Sequence, residues 1–194
     1  MRPKARAALG VGLLGVLATP SVVATLEGSL VSHLLIQMPL LALAGFLSGP
    51  AIAARLAPSH GGTPTVTAIG VALYWMLPRS MDAALDQASV DFAKFATLFG
   101  GVGVPLALGW PRLPYVARTF LLANLIPMLA VLGWLYTSAP VRVCNYYLVD
   151  DQVLAGRCLL ALALAGGLWA IGRAFWPRWP ARGAAAPSAA KSPA

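Results

Sequence analysis

The sequence predicts an all-α fold, a polytopic transmembrane bundle of about six helices. Three observations lead there. Of 194 residues, 59% are hydrophobic and only 10% charged, and the mean hydropathy is +0.75. Apolar residues come in runs approaching the ~20 that cross a bilayer as helix. The runs are rich in Leu, Ala and Gly and lack period-two alternation. Because backbone groups in lipid must be satisfied internally, that choice favours helices over a closed barrel.

The first span is expected near 7–26, after the basic start Arg2, Lys4 and Arg6, with a break at Thr19-Pro20. The same run has the features of a secretory signal, with Val22-Val23-Ala24 as a cleavage site. An uncleaved helix is the favoured reading, because a second long apolar run follows almost at once. That second span is placed at 30–54 and contains Pro39 and Gly49-Pro50. A loop with Arg55 and His60 leads to a short third span, 64–77, which ends at Pro78-Arg79. A polar, helical stretch from Ser80 to Lys94 precedes the fourth span, 92–110. After the turn Trp110-Pro-Arg-Leu-Pro114 come spans at 115–138 and 153–175. The Pro-, Ala- and Ser-rich tail, 176–194, is expected to be disordered.

Charge sets an orientation. With both termini cytoplasmic, only Arg79, Lys94, Arg142 and Arg157 of the basic residues fall on the outer side. All six acids, Glu27, Asp82, Asp86, Asp91, Asp150 and Asp151, gather there too. The net charge of +8 therefore reflects membrane topology, with no basic aromatic face for nucleic acid. A multi-pass protein whose first partner is the lipid bilayer is the expectation.

The outer rim also collects soft and hard ligand types. His33, Met76, Met81 and Cys144 are the candidate metal ligands, a thioether, thiolate and imidazole set that suits Cu(I). Asp82, Asp86, Asp91, Asp151, Gln152 and Arg157 are the candidate polar residues of that face. Each has a plainer alternative. Methionines fill gaps in cores, Asp150 and Asp151 complement a helix N-terminus, and Arg157 pairs with an outer acid such as Asp82 or Asp86. A Cys144–Cys158 disulfide is awkward, because helical rise places Cys158 roughly 10 Å below the rim. No nucleophile–base set, phosphate-cradling Gly loop or HExxH occurs, so the chain is not expected to be an enzyme.

Four stretches carry a family likeness. Leu17-Ala-Thr-Pro20 followed by Ser32-His33-Leu-Leu-Ile-Gln-Met38-Pro is similar to an "SP…HMxxHLLL" run. Tyr74-Trp75-Met76-Leu77-Pro78 through Asp82-Ala-Ala-Leu85 is similar to "WHxP…YDAAL". Ala123 to Pro140 resembles a penultimate long helix, and Asp151-Gln152-Val-Leu-Ala155-Gly156 matches "DQxxAG" at the start of the last one. In these pieces and their order the chain resembles the CtaG family of cytochrome c oxidase assembly proteins. It departs from the family's histidines: Ser29 and Met76 replace two, and Asp91 and Phe95 stand where a His-x3-His pair is usual.

The resemblance implies a multi-pass assembly or accessory factor of the bacterial inner membrane. Its partner would be an oxidase client, and its cofactor, if any, copper. Two other classes stay open. One is a structural subunit of a larger membrane complex without metal. The other is a small transporter, which the sequence disfavours because no span shows a deep carboxylate or lysine.

Overall fold

A computed structural model describes residues 3–53, 61–139 and 141–175, and among them every regular element is helical. His60, Arg55 and the tail expected to be disordered lie outside the described residues. In chain order the helices are α1 (Pro3–Leu17), α2 (Pro20–Glu27), α3 (Leu30–Ile52), α4 (Gly62–Trp75), α5 (Pro78–Asp86), α6 (Ala88–Arg112), α7 (Tyr115–Ser138) and α8 (Val149–Phe175).

Four of these, α3, α6, α7 and α8, are long and apolar enough to cross a membrane, and α1 with α2 makes a fifth if the bent pair is one span. The bundle thus has the architecture of a multi-pass membrane protein. The expected break at Thr19-Pro20 is real: Pro20 opens α2 with Thr19 extended, and the axis turns by 71°. Proline lacks the N–H to continue α1, and its fixed φ suits the first turn of a new helix.

The expected third span is the exception to a count of six. As a helix of 14 residues, α4 rises ~21 Å, short of the ~30 Å hydrocarbon core. Two other boundaries moved. The polar stretch forms two helices, because Gln87 adopts an extended backbone between α5 and α6. The last helix starts at Val149, so Asp150 and Asp151 occupy its first turn.

Two long helices contain a π-helical turn, His33–Gln37 in α3 and Leu98–Gly103 in α6. Such widened turns recur at functional sites. In α3 the turn keeps His33, Leu34 and Gln37 all buried. The core joins Leu30, Leu34 and Leu41 of α3 to Ala68 and Trp75 of α4 and Leu98 of α6. It also takes in Met81 of α5, Tyr136 of α7, Leu159 of α8 and, between those last two helices, Cys144.

Small residues bring helices together, the rule where lipid removes any hydrophobic drive between them. Gly133 of α7 and Gly156 of α8 face each other so closely that a Cβ on Gly156 would lie 2.8 Å from the Gly133 carbonyl oxygen.

Candidate functional site

One end of the bundle gathers the C-terminal ends of α2, α4 and α7 and the N-terminal parts of α3, α6 and α8, with α5 beside them. Across it runs the connecting segment 141–148, which has no regular structure until α8 begins. Side chains from three helices and one backbone carbonyl of α2 pin it. Gln152 Oε1 accepts from the Val143 N–H at 2.8 Å, while its Nε2 donates to the Tyr136 carbonyl at 3.2 Å. Asp82 accepts from the Asn145 backbone N–H and from its side-chain Nδ2, each at 3.0 Å. The Tyr146 hydroxyl donates to Asp86 at 2.8 Å. The Tyr147 hydroxyl donates to the Glu27 carbonyl at 3.0 Å and lies 2.7 Å from His33 Nδ1.

That geometry fixes the His33 tautomer. The single Tyr147 hydroxyl hydrogen goes to Glu27, so the hydroxyl accepts from His33 Nδ1–H. His33 Nε2 is then an acceptor, and Lys94 Nζ lies 3.4 Å from it. The Lys94 ammonium has two stronger partners, Glu27 Oε1 at 2.6 Å and Asp91 Oδ1 at 2.7 Å. Asp91 Oδ1 meets the ammonium as an ion pair only, since this buried oxygen has no hydrogen-bond partner among the described residues. Gln37 completes the group by donating from Nε2 to Glu27 Oε1 at 3.1 Å, and its own Oε1 is buried without a partner among the described residues.

Lys94, His33 and Gln37 are all 0% exposed. This corrects the sequence reading in one respect, its finding that no span shows a deep lysine. Lys94 lies inside α6, a candidate span, and buries its whole side chain. The i, i+3 spacing of Asp91 and Lys94 was the available signal, since it puts both on one helix face. Glu27 could not be placed opposite them without knowing the bend at Pro20.

The predicted ligands do not converge as a metal site. His33 has both ring nitrogens engaged and an ammonium as neighbour. Met81 is fully buried in the apolar core. Met76 lines a separate cleft of 530 Å³ between α4, α6 and α7, with Phe46, Leu106 and Leu125. Cys144 is buried against the core, and burial, followed by the Asp82 carboxylate, pushes its thiol up to about 11. A metal needs the thiolate, so this environment opposes ligation. Among the described residues no three His, Cys, Asp or Glu side chains group together. The donors present do not fit a copper centre.

The other predicted polar residues divide. Asp82, Asp86 and Gln152 hold the connecting segment, and Asp91 holds Lys94. Asp151 is half-buried in the first turn of α8. Arg157 is exposed on α8 and pairs with no acid among the described residues, contrary to the expected ion pair. Both cysteines are free thiols.

The phenols respond to their surroundings. Tyr147 is raised from its ordinary value by burial first and then by Glu27. Tyr146, on the surface, is raised by its hydrogen bond to Asp86. In comparisons with protein-family models, curated proteins and solved structures, nothing matches the chain.

Proposed function

We propose that the chain is an integral assembly or accessory factor of a respiratory cytochrome c oxidase in a bacterial inner membrane. It works by gripping a membrane-protein client, with the connecting segment on the outer face and the termini cytoplasmic. One observation carries this reading. The residues that bear the family resemblance lie far apart in sequence, yet three of the motifs converge on segment 141–148: His33 through Tyr147, Asp82 through Asn145, and Gln152 through Val143. The motif residues therefore hold together a shaped platform on the bundle end, without the histidines of a metal centre.

A scaffold role accounts for that set better than copper transfer, since His33 is spent on holding the platform and Met76, Met81 and Cys144 point to other places. The test is isolation of the tagged chain from its native membrane during oxidase biogenesis and at steady state. Oxidase subunits captured during biogenesis, with mature oxidase depleted in a deletion strain, are the expected result. Unchanged oxidase levels in that strain would sink the proposal. Fixed stoichiometry with a mature enzyme would instead identify a structural subunit. Anaerobic titration with Cu(I) is expected to show no tight site, and a stoichiometric one lost in the His33→Ala, Cys144→Ala double variant would restore copper handling.

A further inference from the structure

We propose that Glu27 is a proton-binding site within the bundle, exchanging one proton that it shares with Gln37. The inference does not rest on the accessory-factor reading; it rests on charge and hydrogen-bond accounting. Two carboxylates, Glu27 and Asp91, contact a single ammonium, that of Lys94. His33 adds no charge, because its Nε2 faces Lys94 as an acceptor. The group therefore carries one surplus negative charge in an apolar bundle, where an uncompensated charge is costly. Gln37 supplies a second, independent sign of something missing. Its Oε1 is an acceptor, fully buried, and no donor reaches it among the described residues.

One proton on Glu27 answers both. Gln37 Nε2 already donates to Glu27 Oε1 at 3.1 Å. A proton on the other carboxyl oxygen converts Glu27 into a donor able to return a hydrogen bond to Gln37 Oε1. Acid and amide then form a two-bond ring, and the surplus charge disappears. Lys94 stays balanced by Asp91 at 2.7 Å. An alkali cation would meet the same charge requirement, but it would have to lodge beside the Lys94 ammonium.

Glu27 is reached by protons without opening the core. Its side chain is 15% exposed and that of Asp91 27%. Asp91 also lines a 440 Å³ groove between the α1–α2 bend and α6, walled by Leu14, Ala18, Val23, Phe95 and Phe99. The other ionisable groups around Glu27 are Lys94 and Asp91 from α6, His33 from α3, and Tyr147 from the connecting segment. Cys144, Asp82 and Asp151 act on that tyrosine from farther away.

The experiment uses the full chain in lipid nanodiscs and a hydrophobic carbodiimide. A protonated carboxyl gives its proton to a carbodiimide nitrogen while its oxygen bonds the central carbon; rearrangement leaves a stable acylurea, and the peptide gains the mass of one carbodiimide. Labelling at Glu27 is expected to accelerate as pH falls, by roughly tenfold per pH unit while the carboxyl is ionised. Glu27→Gln, close in shape, removes the adduct. Lys94→Met strips the countercharge and is expected to speed labelling at Glu27 by about tenfold or more. The proposal is overturned by absence of a Glu27 adduct at every pH, or by an unchanged rate in Lys94→Met. Protection by sodium and not by choline would also overturn it, identifying an alkali-ion site instead.

Discussion

His33 and Tyr147, 114 residues apart in the chain, meet through a 2.7 Å hydrogen bond inside the bundle. The same hydroxyl holds the last carbonyl of α2, so one phenol oxygen ties α2, α3 and the connecting segment together. Tyr147→Phe leaves the His33 Nδ1–H and the Glu27 carbonyl without this partner. A loss of about 1–3 kcal/mol is expected, read from thermal unfolding in detergent. A melting temperature equal to that of the parent would show the contact to be idle.

Lys94 should be the most sensitive charged position. Among the described residues Lys94 is the only cation facing Glu27 and Asp91, so Lys94→Ala breaks a buried pair on one side, at a cost of about 3–5 kcal/mol. Combining Lys94→Met with Glu27→Gln removes both charges of the shorter contact. The double variant is expected to be more stable than Lys94→Met alone, and a double-mutant cycle measures the difference.

Gly156 lies where a side chain meets the Gly133 carbonyl oxygen at 2.8 Å and the Thr137 backbone nitrogen at 3.0 Å. Both are backbone atoms that cannot rotate away. Gly156→Ala is expected to force α7 and α8 apart at a cost of about 1–3 kcal/mol. Cysteine pairs across the two helices, cross-linked in the membrane, would report the change in spacing.

The Cys144 thiol is held up at about 11 against an ordinary 9.0. Thiolate is the species that alkylates, so two units correspond to a reaction about 100-fold slower than an ordinary thiol near neutral pH. Labelling with a small maleimide across a pH series measures this. The sign for stability follows. A folded value above the unfolded one stabilises the protein below about pH 9, and the contribution fades as pH rises from there through about 11. Cys144→Ala should flatten that alkaline slope, although it also loses packing.

Much of the bundle was legible because apolar runs and prolines act locally. The run at Tyr115–Ser138 and the break at Pro20 both appear where the sequence puts them. The length of α4 was harder, because a short apolar run reads alike whether it spans or only packs. At the site, sequence marked Gln152 and Asp82 as important through their motifs but not what they hold, since the segment they fasten has no periodicity. The burial of Lys94 was missed for a physical reason. A lysine three residues from Asp91 reads as a surface charge unless a distant glutamate is known to fold over it.

The cleft beside Met76 has a mechanical meaning. Along its length α7 is paired with α8, yet only 11% of its apolar window is buried. Toward the rest of the bundle it is joined by the Trp110–Pro114 turn at one end and by Tyr136, buried in the core, at the other. Between those ends lies the 530 Å³ space, and Pro127 interrupts the helix ladder there. A beam supported at both ends bends most at mid-span. Bilayer tension or an inserting hydrocarbon chain would therefore flex α7 around Pro127 first, leaving the pinned platform at the bundle end undisturbed.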